Sequence, residues 1–308
     1  METLSGIIVL NKDEGLTSQS AVSRVRRLFG ARKAGHSGTL DPMATGVLPV
    51  LLGGATVAAE YLVSGEKHYI ATLRLGLESD TEDITGEIIN RCTGALPHPD
   101  AVRAAAEGFL GKSQQIPPMY SALKQGGRKL CDLARAGITV EREPRHITVY
   151  RLDVTPLNES DYRLEVVCSK GTYIRTLCAD IGAALGVGGV MASLCRAEAG
   201  GFPLAAAHTL AELEAMSEAE RLDTLIPVET LFADCPAVHL PPFFARLARS
   251  GQQVYQKKIG TAYPLGTRIR MKDDTGFFAL GEVREYDSEK ENGERELAIK
   301  PIKMFLVG

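Results

Sequence analysis

The sequence has no tryptophan and no long uninterrupted apolar run. Its apolar segments GIIVL and GVLPVLLGGATVAA are short or are broken by glycine and proline. A membrane-spanning helix needs about 20 apolar residues. The first residues also lack the basic segment followed by an apolar one that is typical of an export signal. We therefore expect a cytoplasmic protein with neither an export signal nor a membrane anchor.

Cysteine is present but is not spaced for a metal or disulfide framework. The six cysteines form no CxxC pair and no Cys/His set with zinc spacing. They are Cys92, Cys131, Cys168, Cys178, Cys195 and Cys235. We expect reduced thiols, as in a cytosolic protein, and no bound metal.

Four common catalytic motifs are absent: GxxxxGK(S/T), GxGxxG after a strand, HExxH and GxSxG. Nucleotide hydrolysis, nicotinamide chemistry, zinc proteolysis and serine hydrolysis therefore lack their usual sequence support. The acidic segment ESDTEDITGE could hold a divalent cation, but it lacks the spacing of a calcium-binding loop. We interpret this segment as a solvated loop.

The charge is nearly balanced overall but is unevenly distributed. A net charge of −3 argues against a general polyanion-binding protein. Five cations and no acid lie between Arg24 and Lys33, and six cations outnumber three acids between Lys124 and Arg145. A charge run on its own is more often a solvated face than a binding site. From the residues alone, both basic runs are open to either interpretation.

The order of helical and strand patterns predicts an α+β fold with a largely antiparallel sheet flanked by helices. KHYIATLRLGL and RHITVYRLDVTPL alternate as strands, whereas SQSAVSRVRRLFG has an apolar helical face. DYRLEVVCSKGTYIRTLCADIGAALG reads as a strand, a turn and a helix, and TLAE and SEAE are capping-box signatures. After the Pro-rich CPAVHLPP, short strand patterns predict a small β domain. We expect domains at residues 1–232 and 233–308.

The segment GHSGTLDPMATGVLPV combines one carboxylate with three glycines and two prolines. Pro42 biases Asp41 toward extended backbone, and the glycines permit conformations that are closed to other residues. Asp-Pro also opens many ordinary turns, so a turn-forming role for Asp41 is as consistent with the local pattern as a catalytic one. His36, taken alone, is more often a satisfied loop histidine than a base.

Five segments together resemble the bacterial tRNA pseudouridine synthase B family. They are GHSGTLDPMATGVLPV, KHYIATLRLG, IPPMYSALK, KGTYIRTLCADIG and ASLCRAEAGGF. The resemblance covers the chain from about Ile7 to Phe202. It implies a pseudouridine synthase catalytic domain with a small C-terminal PUA-like β domain. It also implies an enzyme that isomerises uridine 55 in the tRNA T arm to pseudouridine, without a cofactor.

The same resemblance assigns roles to individual residues in the catalytic domain. Asp41 matches the catalytic aspartate, which acts as nucleophile or charge stabiliser. Arg175 matches its partner, and a guanidinium within a few ångströms is expected to lower a carboxyl pKa by about one to three units. Tyr69 matches the tyrosine that stacks on the extruded base. Tyr173 matches a second tyrosine near C5 of the base, and Leu194 closes the apolar side.

The resemblance also suggests how RNA is held. His36 matches the histidine that fills the space that the flipped base leaves in the T loop. Lys12 lies in a motif usually written with proline after the lysine, where this chain has Asp13, so it is assigned only a supporting role. Arg26, Arg27 and Lys129 would contact phosphates, which position RNA without reading its sequence. We expect a monomer whose partner is tRNA and which needs no protein partner.

Two rival hypotheses remain open from the sequence. An RNA-binding or folding-assistance module would need the basic surfaces but not Asp41. A uridine-modifying enzyme that acts on other RNAs would keep the chemistry and change the substrate. Whether Asp41 attacks C6 of the base or C1′ of the sugar, or assists glycal formation, does not follow from the residue types.

Overall fold

The computed structural model describes residues 4–63, 65–287 and 295–305. Its helices are α1 (Ser18–Leu28), α2 (Ala59–Val63), α3 (Pro99–Glu107), α4 (Leu130–Arg135), α5 (Ile174–Ala184), α6 (Leu210–Ala215), α7 (Glu218–Asp223) and α8 (Pro242–Arg249). The strands of the first part of the chain are β1 (Gly6–Lys12), β2 (Ala34–His36), β3 (Thr45–Leu52), β4 (Lys67–Leu75), β5 (Leu77–Ser79), β6 (Ile88–Arg91), β7 (Gly111–Gln115), β8 (Lys124–Gln125) and β9 (Arg128–Lys129). They are followed by β10 (Arg145–Pro156), β11 (Asp161–Cys168), β12 (Gly189–Ala199), β13 (Phe202–Pro203), β14 (Ala237–His239), β15 (Val254–Tyr255), β16 (Arg268–Asp273), β17 (Gly276–Asp287) and β18 (Arg295–Met304).

A nine-stranded sheet forms the centre of the fold. Its main order is β1-β3-β12-β4-β11-β10-β7, with β2 paired to β3 and β13 paired to β12. All pairs are antiparallel except β3 with β12. The alternation predicted for KHYIATLRL is seen in β4, where every second side chain is buried. The expected α+β architecture with a largely antiparallel, helix-flanked sheet is confirmed.

The predicted helices form where the sequence pattern places them. In α1, Ala21, Val22 and Val25 are buried against the sheet, and the side chain of Thr17 caps the first turn. Both capping boxes are present, at the starts of α6 and α7. The strand-turn-helix segment gives β11 and α5, so Tyr173 and Arg175 lie at the junction between them.

A second, five-stranded sheet of order β14-β16-β17-β18-β15 follows in the chain and carries α8. It has its own buried cluster, which includes Ile269, Met271 and Val283. A further cluster joins the two sheets, because Leu280 and Phe305 pack with Ile7, Leu51 and Phe232. The boundary near residue 233 stays a prediction.

Candidate active site

The loop between β2 and β3 presents Asp41 beside the centre of the large sheet. Its near arm is fastened to the start of α1, because the buried Ser18 hydroxyl donates to the Leu40 carbonyl and accepts from the Leu40 N–H, at 2.9 and 2.8 Å. The Asp41 carbonyl accepts from Ala44 N at 3.1 Å, which forms a turn. The following strand β3 is almost wholly buried, so the apolar end of the loop anchors it in the core. The Asp41 side chain remains 36% exposed.

Lys12 holds the same loop from the side of β1. Its ammonium donates to the carbonyl oxygens of Asp13 and Leu16 at 2.8 Å and of Pro42 at 3.2 Å. Burial lowers the pKa of Lys12, although the nearby negative charges of Asp13 and Asp41 oppose that effect. The structure therefore places Lys12 next to the loop and gives it contacts to backbone rather than to the carboxylate of Asp41.

Arg196 ties the two arms of the loop together, and sequence reasoning missed it. The residue is 1% exposed. Its Nε donates to the Val47 carbonyl at 2.7 Å and its Nη2 donates to the Gly38 carbonyl at 3.1 Å. The segment ASLCR contained the only signal, a cation that directly follows apolar residues of a central strand.

Arg175 reaches Asp41 from the first turn of α5. Its Nε lies 3.0 Å from Oδ2 of Asp41, and its side chain is only 6% exposed. The remaining guanidinium nitrogens donate to the carbonyl oxygens of Tyr120 at 2.7 Å and Thr81 at 3.1 Å. These contacts fix the plane of the guanidinium before any substrate is bound.

The pKa of Asp41 is raised above the ordinary value, although its Arg175 partner acts in the expected direction. Arg175 and Lys12 do lower it, as expected for cations. Burial of the carboxyl group raises it by more, and the negative charge of Asp83 adds to that increase. The geometric expectation of a close Arg175 partner was right, but the residue pattern gave no measure of desolvation.

The segment ESDTEDITGE is not simply a solvated loop, because Asp83 is buried within it. Oδ2 of Asp83 lies 3.6 Å from Nη1 of Arg175. Its Oδ1 accepts from the Thr81 hydroxyl and the Thr85 N–H at 2.9 Å and from the Thr85 hydroxyl at 2.6 Å. Arg175 therefore lies between two carboxylates, those of Asp41 and Asp83. Sequence reasoning missed the second of them.

Tyr69 and Leu194 lie on the neighbouring strands β4 and β12. Tyr69 pairs with Arg196 and Leu194 pairs with Ala71 in the register of this ladder. Both side chains are buried, at 7% and 8% exposure, within the main core cluster. Burial raises the pKa of Tyr69, and the Arg196 charge opposes that effect. The strand register thus brings a phenol and a leucine to one part of the sheet.

Tyr173 is half-buried at the start of α5. Burial raises the pKa of its phenol, whereas the charges of Arg145 and Arg175 lower it. The negative charge of Asp41 raises the pKa of both Tyr173 and Tyr69, so both phenols lie within electrostatic range of that carboxylate. Both assigned tyrosines therefore belong to the neighbourhood of Asp41.

His36 ends strand β2 at the entrance to the Asp41 loop, where it pairs with Val50. Burial and the charge of Arg196 lower its pKa below the usual value for histidine. The imidazole is therefore neutral near pH 7 and can meet an uncharged base or ribose group without adding a cation to the site.

The basic runs form exposed surfaces. Arg26 and Arg27 lie on the solvent face of α1, and Lys129 lies on the β8–β9 hairpin. Among the described residues, no carboxylate forms an ion pair with any of these three cations or with Arg24 and Lys124. Arg135, by contrast, pairs with Asp132 at 3.6 Å. The described surface therefore offers unpaired cations on α1 and on the β8–β9 hairpin.

Neither a metal centre nor a membrane span is found in the part of the chain that the structure describes. No group of three or more His, Cys, Asp or Glu side chains there could hold a metal ion. No described helix is long and apolar enough to cross a bilayer.

Comparison with known proteins gives a consistent family match. Residues 26–174 match the model of the TruB family pseudouridylate synthase N-terminal domain, and residues 175–233 match that of the tRNA pseudouridylate synthase B C-terminal domain. The tRNA pseudouridine synthase B of Alkaliphilus oremlandii is 41% identical, with 92% of this chain and 95% of the relative covered. That of Chromohalobacter salexigens is 42% identical, with 92% and 91% covered.

The fold is also similar to that of a chain in the crystal structure of a Cbf5–Nop10–Gar1 complex. The TM-score is 0.70 at 26% sequence identity, and the match covers 99% of this chain and 86% of the other. The structural match therefore extends over the second sheet as well as the first.

Proposed function

Because this chain belongs to the TruB family of pseudouridylate synthases, we propose that it isomerises uridine 55 in the T loop of tRNA to pseudouridine. It is an enzyme of the isomerase class. The contact that carries the proposal is the 3.0 Å ion pair between Asp41 and the buried Arg175. It supplies an anchored carboxylate that is still partly open to a substrate.

The reaction balances within the substrate. The C1′–N1 bond breaks, the uracil turns, and a C1′–C5 bond forms. C5 then loses its proton and N1 gains one, so no electrons are lost or gained overall. An isomerisation of this kind needs a charge stabiliser, a proton acceptor and a pocket, and all three can be side chains.

Asp41 is the group that we assign to the reacting nucleoside. Attack at C6, attack at C1′ and assistance to glycal formation each require the carboxylate form at the same place. Arg175 favours that form, and its contacts with two backbone carbonyls keep it from following the substrate. Asp83 in turn holds Arg175 from its far side.

Tyr69, Tyr173 and Leu194 supply the pocket for the flipped base. A phenol face stacks on any base and contributes about 1 to 3 kcal/mol. This contribution offsets part of the cost of unstacking, which is a few kcal/mol. Tyr173 is the residue assigned to C5, where it assists removal of the proton. The neutral His36 fills the position that the base leaves in the T loop.

The phosphates of the tRNA backbone are bound by Arg26, Arg27 and Lys129. Lys12 supports the Asp41 loop. Unpaired exposed cations release counterions when they meet phosphates, which favours binding regardless of sequence. The second sheet, residues 233–308 in our domain division, is proposed as a PUA-like RNA-binding domain. We propose that the enzyme acts on free tRNA in the cytoplasm as a monomer, with no cofactor.

The test is release of tritium from tRNA transcripts labelled at C5 of uridine. The wild-type protein should release the label from the T-loop uridine alone, and Asp41→Asn should abolish release while tRNA binding stays within about threefold. A T-loop transcript with cytidine at position 55 is the matched control. If Asp41→Asn retains turnover, the role of Asp41 is refuted. If neither protein releases tritium but both bind tRNA, an RNA-binding module replaces the enzyme.

A further inference from the structure

The side chain of Gln115, at the end of β7, forms a two-point clamp on the backbone of Tyr173. Its Oε1 accepts from Tyr173 N at 2.8 Å, and its Nε2 donates to Tyr173 O at 3.0 Å. The two residues are 58 positions apart in the chain. Gln115 is 4% exposed. If the amide were turned over, its Nε2 would face the Tyr173 N–H, and its Oε1 would face the Tyr173 carbonyl oxygen. Only the present orientation therefore forms both hydrogen bonds.

The start of α5 needs an external restraint of this kind. Tyr173 is the N-cap residue, with φ −98° and ψ 112°, but no side chain caps the helix there. Serine, threonine, aspartate or asparagine usually fills that role. The Tyr173 carbonyl also accepts the first helical bond, from Leu177 N at 3.1 Å. The Gln115 amide therefore fixes the peptide planes on both sides of the Tyr173 Cα atom.

The same chain segment braces the neighbouring catalytic group. Five residues after Gln115, the Tyr120 carbonyl accepts from Nη2 of Arg175 at 2.7 Å. The next residue, Ser121, is buried beside the Tyr173 phenol. Residues 115–121 thus contact the backbone of Tyr173 and the guanidinium of Arg175. No other described side chain forms a hydrogen bond with the Tyr173 backbone.

We propose that Gln115 is a positioning residue that aims the Tyr173 phenol at the flipped base. The inference rests on the proposed function, since Tyr173 matters only if a base enters this site. Gln115 itself does not reach the substrate. Because a displacement of about 1 Å can reduce a rate by about a hundredfold, a clamp at the Cα atom can control the step in which the C5 proton leaves.

Gln115→Met tests the clamp, because methionine has a similar length and forms neither hydrogen bond. We expect the single-turnover rate constant for tritium release to fall about tenfold, while the Kd for tRNA stays within about twofold. Gln114→Met is the matched control, since Gln114 is the exposed neighbour on the same strand. The control variant should match the wild type in both measurements.

A double-mutant cycle separates positioning from general stability. If Gln115 acts through the phenol, Gln115→Met should change the rate by less than about twofold when Tyr173 is already Phe. A merely structural role would reduce the rate by the same factor in both backgrounds. Equal factors, or no loss in the single variant, would overturn the proposal.

A fluorine spectrum tests the clamp without relying on turnover. With 3-fluorotyrosine in all nine tyrosine positions, Tyr173→Phe identifies the Tyr173 resonance in the free enzyme. Gln115→Met should shift or broaden that resonance, and Gln114→Met should leave it unchanged. An unchanged resonance refutes the clamp. If Gln115→Met shifts the resonance but the wild-type protein releases no tritium, the clamp is supported and the proposed function is refuted instead.

Discussion

Nε of Arg175 lies 3.0 Å from Oδ2 of Asp41, yet the pKa of Asp41 is higher than that of an ordinary aspartate. The ion pair is partly buried, and loss of solvent opposes the charged carboxylate of Asp41 more than the Arg175 cation favours it. Arg175 therefore limits the increase in the pKa of Asp41 rather than producing a decrease. This balance makes the charge state of Asp41 sensitive to each neighbouring charge.

Removing the charge of Arg175 should move the acid limb of activity to higher pH. The proposed reaction uses Asp41 as an anion, so activity should be lost as the pH falls through its pKa. Arg175 lowers that pKa. In Arg175→Gln the pKa of Asp41 should rise further, and single-turnover rates measured against pH show the shift. Arg175→Lys keeps the charge and should move the limb less. An unmoved limb in Arg175→Gln would contradict the assigned ion pair.

Asp83→Asn should move the same limb in the opposite direction. Asp83 raises the pKa of Asp41, so the loss of its charge lowers that pKa. The maximal rate should nevertheless fall about tenfold or more, because an amide cannot both accept from Thr81 and Thr85 and face Arg175 as an anion. Glu87→Gln, an exposed change in the same acidic segment, should alter neither quantity. If the acid limb of the rate profile moves to higher pH in Asp83→Asn, Asp83 does not act on Asp41 through its charge.

The regular elements around the site follow from local patterns in the sequence. Residues close together in the chain decide the alternation of β4 and the capping boxes of α6 and α7. They also decide the strand-turn-helix segment that places Tyr173 and Arg175. The central strand β12 was recognised only as a motif. Its mixed burial does not give a clean period, because two register shifts interrupt its antiparallel ladder with β4.

The supporting contacts of the site could not be predicted in the same way. Arg196 binds Val47 across 149 positions, and Arg175 binds Thr81 across 94. Gln115 reaches Tyr173 across 58 positions. Each partner is a backbone carbonyl or N–H, which every residue possesses and no motif encodes. The burial of Asp83 and that of Asp41, which decides the direction of the Asp41 pKa shift, likewise depend on long-range packing.

Neutral substitutions on the basic surfaces should weaken tRNA binding and reduce its dependence on salt. Arg26→Gln, Arg27→Gln and Lys129→Gln each remove one unpaired cation. The slope of log Kd against log salt concentration should fall by about 0.7 to 0.9 for each phosphate that a variant no longer binds. The rate of the bound complex should not change. Arg103→Gln is the control, because Arg103 already pairs with Asp100 at 2.6 Å. A slope that is unchanged in all three variants would remove these surfaces from the RNA interface.

Gly46→Ala should destabilise the protein and displace Asp41 together. Gly46 has φ +97°, and an added Cβ atom would meet the backbone carbonyl of Arg196, with which it pairs across the β3–β12 ladder. The left-handed backbone alone disfavours alanine by about 1 to 2 kcal/mol, and overpacking adds about 1 to 3 kcal/mol.

Gly126→Ala is the matched control, since its φ of +57° is also positive but its added Cβ atom meets nothing within 4 Å. Urea unfolding gives both free energies of unfolding, and single-turnover tritium release gives both rates. Gly46→Ala should lose more than the control in each measurement, because the ladder closes the far arm of the Asp41 loop. Equal losses in the two variants would show that the junction with Arg196 does not hold that loop.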